Sequence, residues 1–184
     1  TEDGNLPGAT GNRYAQFVST LKNLYGTVEI SDKAIRAGEN ASGAFVNLLN
    51  EEMDGLLRGA KFNFARMLYG DGSGKLCTLS GAASDTAVVN VDTARNLAVG
   101  MVVDIFTGAA ATAATVSGLT VKGIEKAESG YNITLSQKVT AAKDSIMTVQ
   151  GSKDREITGL EAIFSTSGSL YGIARNGNGW LNAY

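Results

Sequence analysis

The stretch from Ser42 to Tyr69, SGAFVNLLNEEMDGLLRGAKFNFARMLY, constrains the fold more than any other, because its periodicity admits only one long helix. Apolar residues recur at helical spacing as Phe45, Leu49, Met53, Leu56, Ala60, Phe64 and Leu68, while Asn47, Glu51, Asp54, Arg58 and Lys61 fall on the other side. One face is expected to be buried and the other solvated. Acids Glu51, Glu52 and Asp54 in the first half and bases Arg58, Lys61 and Arg66 in the second suit the helix dipole, and Asp54 to Arg58 is an acid-first i,i+4 pair. Ser42 or Asn40 is expected to cap the start, and Gly70 to end the run in a left-handed conformation. At about 1.5 Å per residue the segment spans roughly 42 Å, several times the mean helix of globular proteins.

Two glycines interrupt this helix. A glycine inside a helix costs about 1 kcal/mol against alanine, and Gly55 and Gly59 sit four apart on one stripe. The expectation is that another backbone, from this chain or a neighbouring copy, passes close to the helix there.

The 184 residues allow one substantial domain, or a principal domain with a smaller insert. A net charge of −2 gives no global basic field for nucleic acid. Cys77 is the one cysteine, so no internal disulfide framework exists; it reads as a small apolar residue at the edge of a strand. Histidine is absent, which removes the commonest general base and metal ligand and every Ser-His or Cys-His arrangement. No apolar run approaches the roughly 18 residues of a membrane span, and the polar, acidic start is unlike a signal peptide. A first residue other than Met suggests a processed chain or a fragment.

In chain order, residues 1–12 with Pro7 read as a flexible lead-in. Tyr14 to Gly38 reads as an extended amphipathic arm: Val28 and Ile30 alternate with Thr27 and Glu29 as in a half-exposed strand, and SDKAIRA forms a helical turn. GDGSGK, Gly70 to Lys75, is a turn; phosphate-cradling loops follow a strand and open a helix, whereas this one follows a helix and opens strands. From Leu76 to Gly151 short alternating runs predict six strands: Leu76 to Leu79, Ala87 to Val91, Met101 to Phe106, Leu119 to Ile124, Tyr131 to Ser136 and Ile146 to Gln150. Glu128-Ser129-Gly130 is a hairpin turn between the fourth and fifth. A small antiparallel barrel or sandwich follows. The last part turns irregular and glycine-rich, and Trp180 is expected to find its packing partner beyond the last residue.

A search for chemistry returns little. Glu51, Glu52 and Asp54 belong to the wet helix face or its border and read as solvated surface rather than an acid/base dyad. Asp71 reads as a turn former, and no Cys/Asp/Glu cluster has metal-ligand spacing. The expectations are therefore no enzyme, no cofactor and no metal.

Three segments together, FVSTLKNLYGTVEISDKAIRA, then GAFVNLLNEEMDGLLRGAKFNFARMLYGDGSG, then EITGLEAIF with SLYGIARNGNGWL, closely resemble major capsid proteins of tailed bacteriophages and prophages, which share the Hong Kong ninety-seven phage fold. The resemblance implies an α+β chain in which a long spine helix packs on an antiparallel sheet, with a small all-β inserted subdomain. Residues 1–40 would be lead-in and extended arm, 41–74 and 152–184 the peripheral-domain core, and 75–151 the strand-rich insertion. Full-length members continue well past Tyr184. The implied function is a structural subunit that self-assembles into an icosahedral head around phage DNA, held without sequence-specific contacts. Its partners would be its own copies in pentamers and hexamers, with scaffold, portal or decoration proteins. Localisation would be the virion capsid, assembled in the bacterial host cytoplasm, with no membrane. Glu29, Asp32, Lys33 and Arg36 are the expected intersubunit contacts, with the wet helix face second. The alternative is a non-viral binding module, a carbohydrate- or protein-binding barrel or sandwich on a helical stalk, which requires an exposed aromatic cluster on one barrel face. A third class, a small hydrolase, requires two carboxylates converging in a pocket.

Overall fold

The structure, a computed structural model, describes residues 11, 14–39 and 42–182, and shows a mixed α+β chain. Its elements are α1 (Asp32–Glu39), α2 (Ser42–Tyr69), six strands β1 (Lys75–Thr78), β2 (Ala83–Val91), β3 (Val102–Phe106), β4 (Val116–Lys126), β5 (Tyr131–Ala141) and β6 (Ile146–Val149), then α3 (Leu160–Phe164), a hairpin of β7 (Ser169–Leu170) and β8 (Ile173–Ala174), and a final 3-10 turn, Gly179–Leu181.

The six strands expected between residues 76 and 150 all form, and they join in the antiparallel order β1-β6-β3-β4-β5-β2. The two ends of that order also meet. Leu79 bridges Val91, Ser80 N donates to Asn90 O at 2.9 Å, and Asp92 N donates to Thr78 O at 3.0 Å, so the sheet closes into a barrel. Closure leaves no long edge strand with unpaired amides. Alternate side chains point inward: Leu79, Val91, Val103, Ile105, Leu119, Val121, Ile133 and Met147 form a dry core. Each such side chain contributes roughly 1.5–3 kcal/mol on burial. The expected turn joins β4 to β5, with Gly130 at φ 75° and pressed so close to the Val91 carbonyl that no Cβ fits. Buried Asp104 stitches the strand ends, accepting from Ser117 Oγ at 2.6 Å, Gly118 N at 3.0 Å and Gly151 N at 2.9 Å.

The chain enters and leaves the barrel side by side, because β1 and β6 are paired neighbours. A Cβ on Gly74 would stand 2.8 Å from Ser152 O, and Asp154 N donates to Ser73 O at 2.9 Å. The return segment then docks on the end of α2.

Helix α2 runs over the span its periodicity predicts, but its surroundings differ from the expectation of a dry face on a sheet. Among its described apolar side chains only Met67 is buried; Leu56 and Ala60 are half-buried, while Met53 (53%), Phe64 (52%), Leu49 and Leu68 are exposed. The helix packs on α1 and α3 rather than on the six-stranded sheet, which spends its apolar residues on its own core. Phe45 and Asn47 have side chains outside the described set, as does Asn40. The C-terminus also departs from expectation. Gly70 N bonds to Met67 O at 3.2 Å instead of Gly70 turning left-handed, and positive φ comes later, at Gly72 (91°) and Gly74 (77°).

Residues 14–31 run extended without regular secondary structure. The strand expected at 27–30 does not form, since no partner strand lies beside it among the described residues, although Val28 and Ile30 are half-buried and Thr27 and Glu29 exposed as the alternation requires. SDKAIRA opens a two-turn helix, α1.

Candidate functional site

The exposed apolar side chains concentrate outside the barrel. Tyr14, Leu21 (98%) and Leu24 on the arm, Met53, Leu57 and Phe64 on α2, and Ile163 and Phe164 on α3 all face solvent. In the barrel only Val88, Val99 and Val102 do so to a comparable degree. Exposed apolar side chains gathered on a few elements are the material from which interaction surfaces are made.

Two contacts define how the arm meets the body of the chain. Val18 N donates to Tyr171 O at 3.2 Å, and the Phe17 ring meets Tyr171 and Trp180 edge-on, both with centroids 6.1 Å apart. Trp180 therefore has a partner inside the chain, where the sequence suggested one beyond the last residue; it is still 58% exposed, with Nε1 donating to Asn178 Oδ1 at 3.3 Å. At the second contact Gly26 presses against the Leu56 side chain so tightly that a Cβ would overlap it. Beside this crossing lies an apolar groove of ≈ 510 Å³, walled by Leu24 and Tyr25 of the arm and by Met53, Leu57 and Ala60 of α2.

Gly55 and Gly59 flank that crossing but do not make it. A Cβ on either would meet nothing within 4 Å, so no described segment of this chain passes over them, although Gly59 lines the groove. The glycine that permits close approach belongs to the arm, and the helix supplies a leucine. Of the four charged residues expected at contacts, Asp32 and Arg36 pair with each other along α1, Oδ2 to Nε at 2.8 Å, both well exposed. An exposed pair of this kind is worth under about 1 kcal/mol. Glu29 and Lys33 are exposed and enter no ion pair among the described residues.

Two buried cations were not singled out by sequence reasoning. Arg66 near the end of α2 grips Glu156 with both arms of its guanidinium, Nη1 to Oε2 at 2.8 Å and Nη2 to Oε1 at 2.5 Å, with side-chain exposures of 6% and 5%. Their separation of 90 residues leaves no periodic trace. This fork, together with Gly159, whose Cβ would lie 2.5 Å from the carbonyl oxygens of Met67, Leu68 and Gly70, locks the return segment to the helix end. Arg175 donates to Leu181 O, to Ala162 O at 2.6 Å and to Ile163 O at 3.0 Å, placing its charge on the C-terminal carbonyls of α3. Its nearest sequence signal is only that a lone arginine stands among glycines and asparagines.

A cleft of ≈ 660 Å³ separates the end of α2 from the barrel rim, lined by Phe62, Arg66, Tyr69, Lys75, Arg95 and Glu161 among others. The thiol of Cys77 borders it but is buried, and that burial, reinforced by Asp92 and opposed by Lys75, pushes its pKa up to about 12. It stays protonated and unreactive at neutral pH. Glu51, Glu52 and Asp54 are all exposed, so they face water rather than a common pocket. Among the described residues no group of His, Cys, Asp and Glu is placed to hold a metal ion, and no helix is long and apolar enough to cross a membrane. No protein-family model, curated protein or solved structure matches this chain.

Proposed function

We propose that this chain is a structural subunit that self-assembles through its arm and long helix, and that the assembly is the icosahedral head shell of a tailed phage or prophage enclosing genome DNA. The observation that carries the reading is the unpartnered apolar surface of the arm, α2 and α3. The chain exposes 12729 Å², whereas a compact monomer of 19.1 kDa exposes about 8400 Å². The sixteen residues outside the description account for at most about 2400 Å² of the difference, even if fully solvated. Roughly 1900 Å² remains, more than twice what one partner contributes to an interface of standard size, about 800 Å². Repetition of one such interface between identical copies generates a closed ring when its rotation closes, and a second interface joins rings into a shell.

On this reading α2 is the spine of the peripheral region, residues 75–151 are an inserted all-β subdomain, and copies meet in pentamers and hexamers within the host cytoplasm and then the virion. Scaffold, portal and decoration proteins are its further partners. The side-by-side entry and exit of the barrel, and a core drawn only from its own residues, support the insertion. The rival reading, a glycan- or protein-binding barrel, needs an exposed aromatic cluster; Phe106 is buried and Tyr131 half-buried, and the barrel has no other aromatic residue.

Electron microscopy and sizing of the expressed protein test the proposal. Rings, pentamers, hexamers or shells are expected, and a persistent monomer that binds glycan overturns it. Gly55→Ala and Gly59→Ala sharpen the test. In the isolated chain each stabilises α2 by about 1 kcal/mol, because neither new methyl meets an atom. If a neighbour's backbone crosses there, the same substitutions weaken association; unchanged assembly removes these glycines from the interface.

A further inference from the structure

We propose that Asn176 is a site of spontaneous deamidation, converted to aspartate and isoaspartate by attack of the Gly177 amide nitrogen on its side chain. Arg175-Asn176-Gly177-Asn178-Gly179-Trp180 holds the only two Asn-Gly pairs in the chain. Asparagine before glycine is the most susceptible context, because glycine has no Cβ to hinder the approach of its nitrogen to the preceding side-chain carbonyl and leaves the backbone free to turn.

The structure separates the two asparagines. Asn176 is exposed at the corner of a turn closed by one backbone bond, Asn178 N to Arg175 O at 2.9 Å, with Gly177 at φ 80°. Among the described residues neither the Asn176 side chain nor the Gly177 amide enters a hydrogen bond. Rotating Asn176 to set its Cγ against the Gly177 nitrogen therefore disrupts at most that one turn bond. Asn178 is held at both ends: Nδ2, the group that must leave, donates to Ala174 O at 2.9 Å, and Oδ1 accepts from Trp180 Nε1 at 3.3 Å. The same motion there also unwinds the start of the 3-10 turn at Gly179.

In the reaction the Gly177 nitrogen gives its proton to a solvent base and bonds to Asn176 Cγ. The Cγ–Nδ2 bond breaks, and the nitrogen takes up a proton and departs as ammonia, leaving a five-membered succinimide. Water opens that ring at either carbonyl, giving aspartate or isoaspartate. The product sets a new carboxylate next to Arg175, whose buried guanidinium has only carbonyl partners among the described residues. Isoaspartate also lengthens the backbone within the turn that orients Trp180.

The whole protein, held folded at neutral and mildly alkaline pH, is digested and mapped by mass spectrometry, with isoaspartyl methyltransferase labelling of the peptides. The expected result is a one-dalton gain and methyl acceptance on the peptide bearing Asn176, faster at the higher pH, abolished in Asn176→Gln and retained in Asn178→Gln. A gain that persists in Asn176→Gln, or that falls mainly on Asn178, overturns the assignment. So does an unchanged protein over a period in which the free peptide of the same sequence converts.

Discussion

Replacing Glu156 by alanine removes both acceptors of the Arg66 guanidinium and leaves a cation whose side chain is only 6% exposed. Arg66 Nε already lacks a partner among the described residues, so none of them stands ready as an alternative acceptor. Two hydrogen bonds to a charged group are lost, each worth about 1.5–3 kcal/mol, and breaking one partner out of a buried pair costs about 3–5 kcal/mol in comparable cases. The two routes agree on a loss near 4 kcal/mol, about what each implies at mid-range. Because the penalty comes from stranding a charge, removing both charges restores most of it: Arg66→Met with Glu156→Leu should lie within about 1 kcal/mol of the parent. The assay is urea unfolding followed by far-UV circular dichroism, which α2 dominates, at one fixed protein concentration so that association does not shift the midpoint. The barrel serves as internal control, since its core residues Val121, Ile133 and Met147 belong to a cluster that includes neither Arg66 nor Glu156. A loss below about 1 kcal/mol for Glu156→Ala, the range of a surface pair, would refute the reasoning, as would a double variant no more stable than the single one.

The thiol and the docking glycine yield two further outcomes. With its pKa pushed up from 9.0 to about 12, Cys77 keeps its proton in the folded chain while the unfolded chain releases it, so its contribution to stability is full below 9.0 and falls as pH rises toward about 12. Alkaline unfolding titrations of the parent and Cys77→Ala should diverge in that window, and thiol-specific disulfide reagents should label the protein only after denaturant is added. Gly159→Ala drives a methyl to 2.5 Å from three backbone carbonyls of the α2 terminus, which cannot rotate aside; a loss of about 1–3 kcal/mol is expected, read from the same urea curves, and a neutral result would mean the return segment is not seated there.

The barrel was legible because alternation is local. Tyr131, Ile133 and Leu135 against Asn132, Thr134 and Ser136 mark β5 without reference to anything distant; β1, β3 and β6, whose burial does not alternate, were marked instead by short apolar runs between turn residues. Strand lengths were understated where polar ends still pair: β4 and β5 each run to 11 residues, past a register shift between Val121 and Gly123. The helix was legible in existence and span, but its periodicity reports only that one face is apolar and says nothing of what covers it. Contacts across long separations left no mark at all. Arg66 looked like a base placed for the helix dipole, Glu156 like the first residue of the segment EITGLEAIF, and only folding makes them partners. The close approach within the chain has a similar cause: composition flags Gly55 and Gly59 on the helix, while the approach the chain itself makes depends on Gly26 of the arm meeting Leu56.

The two halves of the chain differ in where their stability originates. The barrel joins its edges to each other and fills its interior with its own side chains, so it asks nothing of a neighbour. Helix α2 carries two interior glycines at about 1 kcal/mol each and buries only Met67 among its described apolar side chains. Helical stability in proteins comes mainly from packing an apolar face rather than from propensity. A long helix that leaves Met53, Leu57, Phe64 and Leu68 in water therefore draws on little of that source among the described residues. The arm covers Leu56 alone at its tightest point, and the groove beside it stays open. An arrangement in which the least packed element is also the longest gains stability if identical copies supply the missing contacts, and this asymmetry, more than any single residue, is the ground on which we propose self-association.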